Sequence, residues 1–300
     1  MLEKTLPRGR RFVSIRPMAQ PAVKICTLAN SKMLKIRAHA ARLAEALNGI
    51  GGGQCPAEVS DAVSYLELCS GVKKITFNTF EFDHTMGLCE TADDFRDEHD
   101  NLREALVHRL TLFLFSWAAL ESFVARAKLP SVKLPKGQTA GKIERLCGFL
   151  TSQFKGESIE EWPETINCLR CTIGRSELSK KLGVVGKLPQ FVGPPAEGIH
   201  LVYKLRNSLA HGDFNVPWPD RDDKPVEAHP DVHLVGISTK IVLLTIQMLT
   251  LCYFDRTLNI EMCGLSIDHE DGLDIRTVFP RLHLSSFPDE LDRPVASGEG

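Results

Sequence analysis

The chain has 300 residues, 43% hydrophobic and 25% charged, enough for one sizeable core with a smaller unit beside it. A formal net charge of −2 and a pI near 6.6 exclude a broad basic surface that grips nucleic acid nonspecifically, so any such contact must be local. Nine cysteines without framework spacing and no apolar N-terminal run point to free thiols in a reducing cytoplasm, and the longest uncharged apolar run, residues 241–254, is too short to span a bilayer.

Residues 1–30 set Lys4, Arg8, Arg10, Arg11 and Arg16 against Glu3 and read as a loosely docked terminus or as a basic arm for RNA. Ile36, Ala40, Leu43 and Leu47 fall at helical intervals, predicting a helix from a Ser31 cap to Asn48-Gly49. Gly49, Gly51, Gly52 and Gly53 then read as a flexible break; a phosphate cradle would need a following Lys and hydroxyl residue. Pro56 opens a second helix with Val59, Ala62, Val63 and Leu66 on one face, ended by Gly71. Lys74 to Phe82 alternates like a strand whose apolar face switches near Asn78, as at a bulge or turn. Residues 1–90 thus read as a small mixed α/β unit to which no job can be assigned.

Residues 91–262 read as a helical bundle. Its first helix opens near Asp93-Asp94 and runs to Leu129-Pro130, with Leu106, Leu110, Leu114, Trp117, Leu120 and Val124 inward. His108, between Arg103 and Arg109, is expected on the outer face. Ile143, Leu146, Leu150 and Phe154 mark the next helix. A capping box from Ser158 to Glu161 precedes a helix carrying Ile166, Leu169 and Ile173, although Pro163 leaves its start open. In that helix the single CxxC pair, Cys168 and Cys171, reads as core thiols, because zinc needs four ligands. His229 and His233 lack supporting carboxylates, so no metal site is expected. Asp213 to Pro230 reads as a lid, an RNA specificity loop or a plain surface loop. Ser238 or Thr239 caps the last core helix, with Ile241, Leu244, Met248 and Leu251 inward. Residues 263–300 read as a hairpin around Asp271-Gly272, with strands through Leu265, Ile267 and His269 and through Leu273, Ile275, Thr277 and Phe279, then a mobile tail from Ser285.

The stretch Arg206-Asn207-Ser208-Leu209-Ala210-His211-Gly212 carries the chemistry. Leu201, Leu205 and Leu209 recur every four residues as a packed helix stripe, Gly212 stops the helix, and Tyr203, Asn207 and Ala210 mark the opposite face with Arg206 and His211 on either side. An imidazole with an ordinary pKa of about 6.5 exchanges protons with a ribose 2′-hydroxyl or a 5′-oxygen near neutral pH, and a guanidinium holds phosphate oxygens as charge builds. Neither a metal nor a cofactor is required. The same residues also suit a helix end whose imidazole complements the dipole and whose Arg and Asn are solvated. Spacing alone does not decide, since Arg103 to His108 and Arg276 to His283 match it too. The company of the third pair differs: Asn after the Arg, Ala before the His, Gly at the close.

Leu-Arg-Asn-Ser-Leu-Ala-His-Gly, together with the upstream helix through Trp117-Ala118-Ala119-Leu120-Glu121-Ser122-Phe123, resembles the HEPN superfamily over roughly residues 95–262. The resemblance implies a mainly α fold, an antiparallel four-helix bundle that dimerises, and a metal-independent endoribonuclease of toxin–antitoxin or phage-defence systems, leaving cyclic phosphate and 5′-hydroxyl ends. It makes Arg206 and His211 catalytic, with Asn207 positioning them and Tyr203 on the same face. Glu121 either orients that pair from the neighbouring helix or is a rim carboxylate. Some family toxins carry a Tyr two residues after the His as a target for nucleotide modification by a partner; Asp213 stands there in this chain, so a nucleotidyltransferase antitoxin is not supported. The expected partners are RNA, a second copy of the chain, and an antitoxin or defence protein, with no membrane. The alternative is an inactive bundle that uses the same surface to bind a nucleotide, RNA or a partner protein.

Overall fold

The computed structural model of the chain describes residues 31–52, 54–76, 90–134, 138–155, 158–176, 188–212, 229–262 and 273–287. Within them the protein is mainly α, as expected: α1 (Ile36–Asn48), α2 (Ser60–Gly71), α3 (Glu90–Ala127), α4 (Lys142–Gln153), α5 (Trp162–Ile173), α6 (Pro194–Ala210), α7 (Pro230–Tyr253), β1 (Asn259–Ile260), β2 (Leu273–Asp274) and α8 (Ile275–Val278).

The centre is α7, which packs against α1, α3, α4, α5 and α6. Every residue from Ile237 to Leu251 is buried, as befits a helix apolar on all sides. Its threonines enter the core because each hydroxyl donates to the carbonyl four residues back: Thr239 to Val235 (2.8 Å), Thr245 to Ile241 (2.7 Å) and Thr250 to Ile246 (2.9 Å). Thr239 and Ser238 therefore do not cap this helix. It begins at Pro230, after His229, whose Nδ1 accepts from the Asp231 amide at 3.3 Å. So extended, α7 is long and apolar enough to cross a membrane by length and composition, as is α3; yet 94% of its apolar window is buried inside the molecule, against 50% for α3.

Helix directions follow from paired contacts. Asp61 meets Arg126 and Cys69 meets Ser116, so α2 and α3 run oppositely. Thr151 bonds Phe191 and Gly193 while Cys147 faces Ala196, so α4 and α6 also run oppositely. By contrast, Arg109 lies beside Gly236 and Phe123 packs on Tyr253 and Phe254, so α3 and α7 run parallel. Leu43 and Leu47 of α1, Leu66 of α2, and Phe279 and Leu282 beyond β2 lie in one continuous core with α3 to α7.

Several local expectations shift. Lys35, not Ser31, precedes α1, and Val59 precedes α2, with Pro56 three residues earlier closing a turn. The Gly49–Gly52 stretch is anchored rather than a flexible break: Gly51 donates to the Asn259 carbonyl (2.9 Å) and the Glu261 amide to Gly49 (3.0 Å). Pro163 in the first turn moves the start of α5 to Trp162, so Glu161 becomes its N-cap at φ +59° with no side-chain capping bond, and its carboxylate pairs with Lys32 at 2.7 Å instead. The antiparallel strand pair exists, but it joins Asn259–Ile260 to Leu273–Asp274. Asp274 Oδ1 accepts from the Thr277 amide (2.6 Å) and so turns Ile275 and Thr277 into helix rather than strand. The start of the expected tail is held: Ser285 donates to the Lys32 carbonyl (2.8 Å), and Phe287 is 2% exposed, with Arg42 5.3 Å above its ring. Residues 74–76 are irregular; the rest of the expected strand, the N-terminal basic arm, the 213–228 excursion and the hairpin turn lie outside the described residues.

Candidate functional site

Extended Gly193 followed by Pro194 and Pro195 starts α6, because proline in the first turn gives up no helical hydrogen bond. Its inner side buries Ile199, Leu201, Val202, Leu205 and Ser208. Tyr203, Arg206 and Asn207 are half-buried, and Ala210, His211 and Gly212 are exposed. His211 is the C-cap residue, its amide donating to Asn207 O (3.0 Å), and Gly212 follows at φ +74°, its amide donating to Leu209 O (3.3 Å). Gly212 thus stops the helix as its position in the motif predicts, since the left-handed conformation suits a residue without Cβ.

Tyr203 ties this helix to α3: its ring stacks on Trp117 at 6.3 Å between centroids and 8° between planes. One turn beyond Trp117, Glu121 is half-buried. Among the described residues no side-chain hydrogen bond or ion pair joins Glu121, Arg206, Asn207 and His211 to one another. Leu114, expected inward, is instead 61% exposed, one turn before Trp117.

The other two Arg–His pairs have different surroundings. His283 is fully buried and its Nε2–H donates to the Glu160 carbonyl at 2.7 Å, out of reach of any substrate. His108 is not on an open outer face; it is half-buried, with Nδ1 enclosed and without a hydrogen-bond partner. Of the three matches, only Arg206 and His211 place the imidazole on the surface at a helix end.

Cys168 is buried with Sγ 3.6 Å from His233 Nε2, and Cys171 is partly buried; both are free thiols. Among the described residues no three His, Cys, Asp or Glu side chains are grouped to hold a metal.

The structure also assembles a feature that no contiguous stretch announces. A cleft of about 900 Å³ between α1, α3 and α7 is lined by Lys35, Arg37, His108, Arg109, His233 and Lys240. A second of about 420 Å³ shares His108 and Arg109 and adds Lys73, Lys74 and Glu104. Lys240 is 9% exposed; burial first, then neighbouring Arg109, bring its ammonium pKa down to about 8. Burial likewise lowers His108 and His233, helped by nearby cations. Neither Arg206 nor His211 lines either cleft. No family model matches the chain, and no curated protein or solved structure does.

Proposed function

We propose that the chain is a metal-independent endoribonuclease of HEPN type, acting as a homodimer in the cytoplasm within a toxin–antitoxin or phage-defence system. The observation that carries this reading is the end of α6, where alone among the three Arg–His spacings the imidazole is exposed, with a half-buried guanidinium five residues before it. His211 takes the proton from a 2′-hydroxyl, the 2′-oxygen attacks phosphorus, and the bond to the 5′-oxygen breaks as that oxygen takes up a proton from water, to which His211 releases its own, leaving a cyclic phosphate and a 5′-hydroxyl. Arg206 balances the charge that grows on the non-bridging oxygens. Asn207 positions the pair, while Tyr203 on Trp117 and Glu121 on α3 form the supporting surface.

A second copy supplies the wall that the single chain lacks, since the pair lies outside both clefts. Exposed Leu114, one turn from the Trp117–Tyr203 stack, offers that copy an apolar contact. The test is RNA cleavage by purified protein in excess chelator. Arg206→Ala and His211→Ala each abolish cleavage, and both leave thermal stability unchanged because they remove no buried contact. Metal-dependent cleavage indifferent to both substitutions refutes the reading. Intact RNA at high protein concentration, with measurable binding, selects the non-catalytic bundle instead.

A further inference from the structure

We propose that Tyr203 is the platform on which a nucleobase of single-stranded RNA stacks, flanking the phosphodiester that is cleaved; this rests on the nuclease reading above. Three aromatic rings run outward from the core. Phe113 and Trp117 of α3 are both buried, with ring centroids 6.0 Å apart, and Tyr203 of α6 lies over Trp117 at 6.3 Å with 8° between planes. Trp117 is 3% exposed whereas Tyr203 is half-buried, so Tyr203 is the outermost ring of the three. Among the described residues no hydrogen bond holds its hydroxyl, so the ring is fixed by stacking rather than by its polar end.

Charge explains why such a contact is needed. In a chain of net charge −2 no broad basic surface holds RNA through its phosphates, whereas stacking on an aromatic ring draws on the face that every base possesses. A tyrosine has only two side-chain torsions, and Trp117 sets them before any strand arrives, so little ordering entropy is lost on binding. Position points the same way. Tyr203, Asn207 and Ala210 share one face of α6, and exposed Ala210 leaves that face low between the ring and His211. Tyr203 precedes Arg206 by about 4.5 Å and His211 by about 12 Å along the helix axis. The longer distance exceeds what a base spans from its own phosphate, so the stacked base belongs to a nucleotide further along the strand.

The experiment uses the full chain carrying His211→Ala, so that the readout does not require cleavage. It is titrated with a short single-stranded RNA bearing the fluorescent base 2-aminopurine at successive positions, and with the same RNA made abasic at each. Quenching is expected at a particular position. Tyr203→Leu abolishes it and weakens binding about 5- to 150-fold, and Tyr203→Phe, which keeps the ring, restores both. Removing the base at the quenched position weakens binding to the chain that retains Tyr203 by a similar factor and has no further effect on Tyr203→Leu. The abasic comparison needs no change at Tyr203 and therefore decides even where Tyr203→Leu lowers the thermal midpoint. No quenching at any position, or an abasic loss equal with and without the ring, overturns the proposal. Cleavage by the wild-type chain, assayed alongside, separates the two readings. Ring-dependent quenching without cleavage sinks the nuclease and keeps the platform, whereas cleavage that needs Arg206 and His211 but neither ring nor base does the reverse.

Discussion

His39 and His283 lie in the core as neutral imidazoles joined through Gln247. His39 Nε2–H donates to Gln247 Oε1 (2.7 Å), Gln247 Nε2 donates to the Phe279 carbonyl (2.5 Å) and faces His283 Nδ1 (3.4 Å), and His283 Nε2–H donates to Glu160 O (2.7 Å). Every proton in this chain is accounted for only while both rings stay uncharged. Burial is the main cause that lowers both, His39 well below the usual imidazole range and His283 to about 4. The folded pKa lies below the unfolded one of about 6.5, so the unfolded chain takes up the proton first as pH falls. The contribution of His283 is therefore complete above about pH 6.5, declines between there and about 4, and levels off below. At pH 5, linkage gives a loss of about 2 kcal/mol from His283 alone, with His39 adding to it. Lys240, lowered to about 8, stays protonated throughout this window and adds no slope. Urea unfolding followed by circular dichroism at intervals from about pH 7.5 to 5 measures the effect. His283→Gln is expected to be less stable at neutral pH and to flatten the dependence by close to one proton. A variant curve parallel to the wild-type curve, or a wild-type stability that does not change across the window, refutes the reasoning.

Two other outcomes can be measured directly. At Gly49 a Cβ would collide with the Glu261 carbonyl, and the Glu261 amide bond to Gly49 O (3.0 Å) prevents the backbone from retreating, so Gly49→Ala is expected to cost about 1–3 kcal/mol in denaturant titration. A wild-type midpoint would show that this strand bridge yields. Leu114→Glu places a charge on the exposed face next to Trp117 and Tyr203, and is expected to convert a dimer to a monomer by light scattering without lowering the thermal midpoint. Unchanged mass would remove this face from the proposed interface.

Local periodicity determined much of this protein: the helical class, the inward stripes of α1, α4 and α5, and the Gly212 stop after Ala210, because these depend on residues a few positions apart. Helix starts were harder to read. At α7, His229 and Pro230 lie well before the hydroxyl residues that resembled a cap, and hydroxyls bonded to their own helix are invisible in a linear pattern. The exposure of Leu114 in an otherwise inward stripe depends on which neighbours cover α3. The parallel run of α3 and α7 was likewise a tertiary result, set by how the chain returns through α4 to α6. The same holds for the basic cleft: Lys35, Arg109 and Lys240 are far apart in sequence and ordinary where they stand, and only helix packing gathers their charges around one cavity. Intervals along one helix are dictated by backbone geometry within a few turns, whereas a site built across three helices exists only once long-range burial has fixed their relative positions.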